Sequence, residues 1–365
     1  MNISMIMKKL ILTLIIISPA FAQKPHLEEV AAFDNNQPIG VAVQTGTNRL
    51  FVSFPHNEPF LYAVTEIKDG KRVPYPNEEW NKTGNDAHHY NNAQDMYADD
   101  QGYLWVLDSK PAGDANVFGD SGTKKEGEFK LIQFDLATNK EKKVYLFGGL
   151  PKDKSGLNDV RIDTQKQLAY LSDPGLKAIV VLDLKNDTVR ILLQGDASTT
   201  ITPGYNLTID GKEMTDDKGK PFSSNVNGIA LTKDNKYFYY KPINHDNLYR
   251  IETKYLADAK LPAAELSAKV ETVANAGITH GLECDAKGNI YYGHSPSHSI
   301  KYVSPDGNVH TLITDDRIIW PDSFGVGNNG YLYFSCAQLN RLPKYNKGDN
   351  RVDYPFRVFR VKMPE

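Results

Sequence analysis

His280-Gly281-Leu282-Glu283-Cys284, the turn Asp285-Ala286-Lys287-Gly288 and the return Asn289-Ile290-Tyr291-Tyr292 form one unit: a polar residue and a small one, a short strand, an Asx/Gly turn, and an aromatic-rich strand. The unit recurs. Ile39-Gly40-Val41-Ala42-Val43 returns as Leu50-Phe51-Val52, and Gln94-Asp95-Met96-Tyr97 as Tyr103-Leu104-Trp105-Val106. Asn158-Asp159-Val160-Arg161-Ile162 returns as Leu168-Ala169-Tyr170-Leu171, and Asn227-Gly228-Ile229-Ala230-Leu231 as Tyr237-Phe238-Tyr239-Tyr240. Asp322-Ser323-Phe324-Gly325-Val326 returns as Tyr331-Leu332-Tyr333-Phe334, the sixth copy. Turns such as Asp99-Asp100-Gln101-Gly102 and Gly327-Asn328-Asn329-Gly330 carry the residues that tolerate positive φ. Further strand-like runs lie between hairpins, such as Lys130 to Leu136 and Ala178 to Leu184. A hairpin plus two outer strands makes a four-stranded blade, and radial repetition predicts an all-β, six-bladed β-propeller.

Taking Gly40, Asp95, Asp159, Gly228, Gly281 and Ser323 as equivalent, the intervals are 55, 64, 69, 53 and 42 residues, so the unevenness falls in loops. No amphipathic helical period competes with the strands. The last blade runs out of chain after Phe356 to Val361, while Leu27 to Phe33 offers a spare strand near the other end. That strand is predicted to pair as the outermost of the final blade, closing the ring and hiding an edge.

Lys8 and Lys9 precede an apolar stretch from Leu10 to Ile17, and Ala20-Phe21-Ala22 follows. This is the layout of a secretory signal peptide over residues 1–22. About eight apolar residues fall well short of the roughly 20 a spanning helix needs. Residues 23–365 then form a single propeller domain, exported to a periplasmic or extracellular location and free of the membrane after cleavage. Removing Lys8 and Lys9 takes the net charge from −3 to −5. A mildly acidic chain with no Lys/Arg run has no footprint for nucleic acid. Cys284 and Cys336 allow either one disulfide or two buried thiols.

The inner strand of each blade starts at one face, the top, so its first residue stands at the channel mouth. Those residues are Ile39, Gln94, Asn158, Asn227, His280 and Asp322. Five of the six can hydrogen-bond or bind a metal, and their convergence points to a site. The longest insertions, Ser109 to Phe129 and Gly195 to Asn225, also emerge at the top, where loops on a rigid scaffold carry binding or gating. The tandem His88-His89 lacks the spacing that marks a metal motif.

Several stretches, in order, resemble the Yellow / major royal jelly protein family: Arg49 to Pro55, Pro74-Tyr75-Pro76-Asn77, Tyr103 to Asp108, Lys130 to Leu136, His280 to Cys284 and Trp320-Pro321-Asp322-Ser323-Phe324. The resemblance covers essentially the whole mature chain and implies secretion and a six-bladed fold. It implies function less well, since members are described as pigment-pathway proteins, amine binders or nutritional proteins. A more distant resemblance, through Asn158-Asp159, Ser172-Asp173-Pro174-Gly175, Asn227 to Leu231 and His280 to Asp285, is to gluconolactonase-like propellers. Those enzymes hold a divalent cation at the channel mouth, and hard cations want anionic oxygen ligands. Here the two Asn match, but the Glu position reads Ile39 and the Asp position His280.

The leading expectation is a monomeric small-molecule-binding propeller with no cofactor, having tautomerase-like activity on an aromatic amine or catechol-derived compound. Gln94, Asn158, Asn227, His280 and Asp322 would orient polar groups, and Phe54, Tyr97 and Phe324 would supply ring contacts. His280 is the candidate general acid/base, tuned by a contact with Asp322 on the neighbouring blade. The alternative is a lactonase holding Ca²⁺ or a transition metal on Asn158, Asn227 and Asp322.

Overall fold

A computed structural model describes residues 25–58, 60–82, 84, 86–111 and 127–364; the expected signal peptide, residues 1–22, and the middle of the Ser109–Phe129 insertion lie outside them. Six antiparallel four-stranded sheets form a six-bladed propeller. The inner strands are Val41–Val43, Ala93–Ala98, Val160–Asp163, Val226–Leu231, Leu282–Cys284 and Pro321–Val326, and they define blades 1 to 6. Each is followed by its predicted return strand.

Turn chemistry fixes the hairpin registers. Gly102, Gly288 and Gly330 take φ of 87°, 84° and 80°, which a side chain would resist. Asp99 accepts the backbone N–H groups of Gln101 and Tyr103 at 2.9 Å, and its second oxygen takes the Trp105 indole at 2.8 Å. Asp285 repeats the device on Lys287 and Asn289.

The ring closes as expected. Glu28–Ala32 pairs antiparallel with Arg357–Lys362 as the outermost strand of blade 6, with Glu28 opposite Arg360. Two ion pairs lock it, Arg360 to Glu28 at 2.7 Å and Arg357 to Glu29 at 3.1 Å.

Because each sheet is covered on both faces near the axis, its inner strands are largely buried, whereas outermost strands such as Lys71–Pro74 and Lys140–Tyr145 are polar and partly exposed. Six clusters fill the six gaps between blades. Phe51, Tyr75, Met96 and Phe134 pack between blades 1 and 2, for example, and Tyr170, Val181, Phe238 and Tyr240 between blades 3 and 4. At about 25 cal/mol per Å² of apolar surface, these layers carry most of the folding free energy. Cys284 and Cys336 sit in different layers as buried free thiols, so they do not pair.

Candidate functional site

At the axis, the residue after each mouth position sits where neighbouring inner strands approach closest. Three of these carry side chains that reach to the next blade. Asp95 accepts Val160 N–H at 3.0 Å, Ser323 accepts Val41 N–H at 3.0 Å, and Asp159 accepts the Ile229 N–H. The other three are glycines because the space is taken. A Cβ on Gly228 would lie 2.0 Å from the His280 carbonyl oxygen, one on Gly281 2.0 Å from that of Asp322, and one on Gly40 2.5 Å from Ser53 Oγ. Return-strand serines bolt the same joints. Ser53 Oγ accepts Gly40 N–H and donates to Gln94 O; Ser335 Oγ accepts Ser323 N–H and donates to Ile39 O at 2.6 Å.

Below this ring the channel is filled. Arg161 of blade 3 donates to Asp95 at 3.1 Å and reaches the Leu282 carbonyl of blade 5 at 2.8 Å. Glu283 lies 3.7 Å from Arg161 and 3.2 Å from Lys233. These side chains span the axis from blade 2 to blade 5 beneath the mouth.

Above the ring, Gly195–Asn225 is folded, not loose. A short hairpin, Thr208–Ile209 with Lys212–Glu213, carries Leu207, Ile209, Met214 and Phe222 onto Ile39, Trp320, Leu339 and Tyr345. Phe222 meets Trp320 edge-on at 5.3 Å, and Lys212 ties the hairpin to Tyr345 O and Asn346. This apolar roof buries Ile39, Gln94 and His280, whereas Asn158, Asp159, Asn227 and Asp322 stay half-buried at the mouth.

The electrostatics of this polar set are lopsided. Burial pushes the Asp322 carboxyl up to about 7, and the charge of Asp95 adds to the shift. Asp159 is held well above the usual carboxylate range by burial and by Asp95 and Asp322, which together outweigh Arg161. Asp95 is also raised by burial, although Arg161 and two backbone N–H groups oppose it. Asp95 and Asp159 thus both lean on Arg161, which also faces Glu283, while no cation lowers Asp322.

His280 has a different setting. Its ring stacks on Trp320 at 3.9 Å, and Nε2 meets Ser295 Oγ at 2.6 Å. Burial, with the nearby His294 and Lys241, lowers its pKa to about 3, so it is neutral at physiological pH. The expected Asp322–His280 contact is not formed. Trp320 stands between them, stacking on one and donating its Nε1 to Asp322 Oδ1 at 3.0 Å. Trp320 holds φ of 51°, a left-handed conformation that costs an aromatic residue on the order of 1–3 kcal/mol and that the packed roof enforces.

The expected aromatic contacts do not reach the mouth. Phe54 packs edge-on against Phe33 at 5.0 Å between blades 6 and 1. Phe324 packs on Phe334 between blades 5 and 6. Tyr97 lies at the opposite end of the channel with Lys233 and Glu283, under the Arg161 guanidinium. Residue spacing along a strand fixes the face but not the depth, which is why all three were misplaced. Of the polar candidates, Gln94 and Asn158 meet at 3.4 Å, and Asn227 reaches Ser224 Oγ at 3.4 Å.

Sequence reasoning passed over Asp159, Asp95 and Arg161, although the first two occupy the positions used to count the repeat. Asp at two copies of a repeat position that is Gly or Ser in the other four was the available signal.

A divalent cation fits this donor set poorly. Asn158 donates its amide to Asp159 Oδ1 at 2.7 Å while its oxygen faces the Gln94 amide, and Asp322 Oδ1 takes the indole N–H. Among the described residues no three His, Cys, Asp or Glu converge as metal ligands. His88 and His89 are occupied by Glu141 and Asp86 at 2.7 and 2.8 Å.

The major royal jelly protein family model matches residues 92–364, well over half of the sequence. The chain belongs to that family. Major royal jelly protein 9 of Apis mellifera is 21% identical over 356 residues, covering 88% of this chain and 79% of that one. Among solved structures, a luciferin-regenerating enzyme superposes with a TM-score of 0.54 at 14% identity, over 93% of this chain and 95% of its own. A gluconolactonase from Xanthomonas campestris gives 0.54 at 11% identity, over 93% and 90%. At these identities the likeness shows the fold alone. Among the described residues no helix is long and apolar enough to cross a membrane.

Proposed function

We propose that this royal jelly family propeller is exported and binds a small aromatic or catechol-derived amine at the top of its channel, where a carboxyl exchanges a proton with the ligand. The supporting observation is the carboxyl surplus at the half-buried mouth: Asp322, pushed up to about 7, and Asp159, held well above the usual carboxylate range in part by the charge of Asp322. A buried carboxyl that holds a proton for want of a cation offers its site to an ammonium group, which restores the missing charge. Asn158 and Asn227 stand beside it as amide donors and acceptors for hydroxyls. A group titrating near neutrality is also suited to take a proton from one atom of a bound catechol derivative and return it to another, which is tautomerisation. Asp322 replaces His280 as the acid/base in this reading, because an imidazole with a pKa near 3 is a weak base.

Calorimetric titration with tyramine, and with 4-ethylphenol as the same ring without its amine, tests this. Tyramine should bind, the phenol should bind at least tenfold more weakly, and Asp322→Asn should abolish the difference. Equal affinity for the two would refute the amine reading. The lactonase alternative requires metal, so a Ca²⁺-dependent melting temperature that falls in chelator would replace the amine reading with it.

A further inference from the structure

We propose that the chain carries a second binding site, for an organic polyanion, in the cavity between the tops of blades 3 and 4 and the loop that follows the second strand of blade 6. The cavity measures about 880 Å³, the size of pockets that enclose nucleotide- or oligosaccharide-sized ligands. Lys154, Lys177, Lys220 and Lys344 line it against two carboxylates, Asp153 and Asp216. Asp216 is engaged locally, accepting the backbone N–H groups of Lys218 and Lys220 at 2.9 and 2.8 Å. Among the described residues no carboxylate forms an ion pair with Lys154, Lys177 or Lys220, whereas most other clustered charges on this chain are paired.

A cationic cavity on a chain of net charge −3 is a local concentration and not a reflection of composition. Lys154, Lys177 and Lys220, which face one hollow with no ion pair among the described residues, repel one another, and a bound anion removes that repulsion. The hollow also has an apolar wall. Phe222 and Tyr345, buried and edge-on at 5.9 Å, expose part of the roof to it, beside Pro174 and Pro221. Charged groups on the lysines with an organic body on that wall describe the ligand: several phosphates or carboxylates on a ring system. The site is separate from the carboxyl mouth and prefers the opposite charge; Ser224, whose Oγ receives the Asn227 amide, and Phe222, which meets Trp320 edge-on, lie between the two.

Titration at low salt with adenosine triphosphate, inorganic triphosphate and a galacturonic acid trimer tests the proposal, with adenosine as the uncharged control. At least one polyanion should bind with Kd on the order of 0.1 mM and weaken several-fold at physiological salt. A response to the two phosphates assigns phosphate, and a response to the trimer alone assigns carboxylate. Tighter binding of adenosine triphosphate than of inorganic triphosphate shows the wall in use; equal affinity overturns its part in recognition. Lys154→Glu with Lys220→Glu should cost tenfold or more, and Lys→Gln at both positions serves if the reversed pair unfolds. Asp322→Asn should leave anion binding unchanged, which separates this site from the amine reading. Silence from all three polyanions, survival of binding in the double variant, or equal binding of adenosine overturns the proposal.

Discussion

Replacing Asp322 by Asn should make the protein more stable, and only above about pH 4. The carboxyl titrates near 7 in the folded chain against 3.8 when free in water. Below pH 4 both states hold the proton and the side chain contributes nothing. Between 4 and 7 the folded chain keeps a proton that the unfolded chain has released, so wild-type stability falls as pH rises. Above 7 the full penalty is in place: a displacement of about three pH units at 1.36 kcal/mol each, or roughly 4 kcal/mol. Asp322 is half-buried, so water relaxes part of this and about 2 kcal/mol is the lower expectation. Asparagine keeps an oxygen for the Trp320 indole, and losing the charge also relieves Asp159. Urea unfolding of both proteins followed by tryptophan fluorescence, at four pH values from 4 to 8.5, measures the difference directly. Carboxyls that do not feel Asp322 cancel between the two proteins, and the relief of Asp159 adds to the difference in the same direction. The variant should match the wild type at pH 4 and exceed it by 2–4 kcal/mol at pH 8.5. A difference that does not change with pH, or a variant less stable at pH 8.5, would refute the buried-proton account.

Two further outcomes follow from the same axis. Gly281→Ala places a methyl group 2.0 Å from the Asp322 carbonyl, so it should cost about 3 kcal/mol or more in urea unfolding, while Gly148→Ala, in open space, should be near neutral. Lys241 is buried between blades 4 and 5 with only backbone carbonyls as acceptors, and burial lowers it from 10.5 to about 7. As pH falls from about 10 to 7 the unfolded chain takes up the proton first, so the wild type loses stability, at most about 5 kcal/mol. Lys241→Met should flatten that slope between pH 10 and 7, and a slope unchanged by the substitution would show that Lys241 is already charged in the fold.

The blade count and ring closure were legible because they rest on local pattern: a turn with Gly at positive φ, a recurring apolar hairpin, and a spare strand at Leu27 to Phe33 where the last blade runs out of chain. The mouth was half legible. Position along the inner strand put Asn158, Asn227 and Asp322 there. It could not reveal that Trp320, two residues before Asp322, would turn its indole between Asp322 and His280, because that depends on a left-handed backbone and on a roof hairpin whose residues lie about a hundred positions away. The depth of Tyr97 and Phe324 was likewise set by how far each strand runs down the axis. Nor did spacing show that Gly195–Asn225 packs as a roof, since its hairpin is stabilised by contacts with blade 6 and not by its own sequence.

The chemistry of the mouth grows out of how the ring is joined. Each joint needs an acceptor for an N–H on the next inner strand, and a small residue or a bare glycine where the backbones touch. Serine at 323 meets that need without charge, whereas Asp95 and Asp159 meet it with carboxylates, one of which Arg161 neutralises from below. Asp322 then adds a carboxyl at the rim that no joint requires: its side chain takes only the Trp320 indole, while its backbone carbonyl makes the contact with Gly281. A residue needed only for the joint could be any whose carbonyl reaches Gly281. The acid at 322 is therefore a charge that no joint between blades uses, since the Trp320 indole needs only an oxygen there, and it is a charge whose removal should stabilise the protein. Stability given up at a half-buried polar mouth, on an otherwise well-satisfied ring, is what a ligand site costs an apo protein. Saturating amine should accordingly recover at pH 8.5 the stability that Asp322→Asn gains, and should add nothing to the variant.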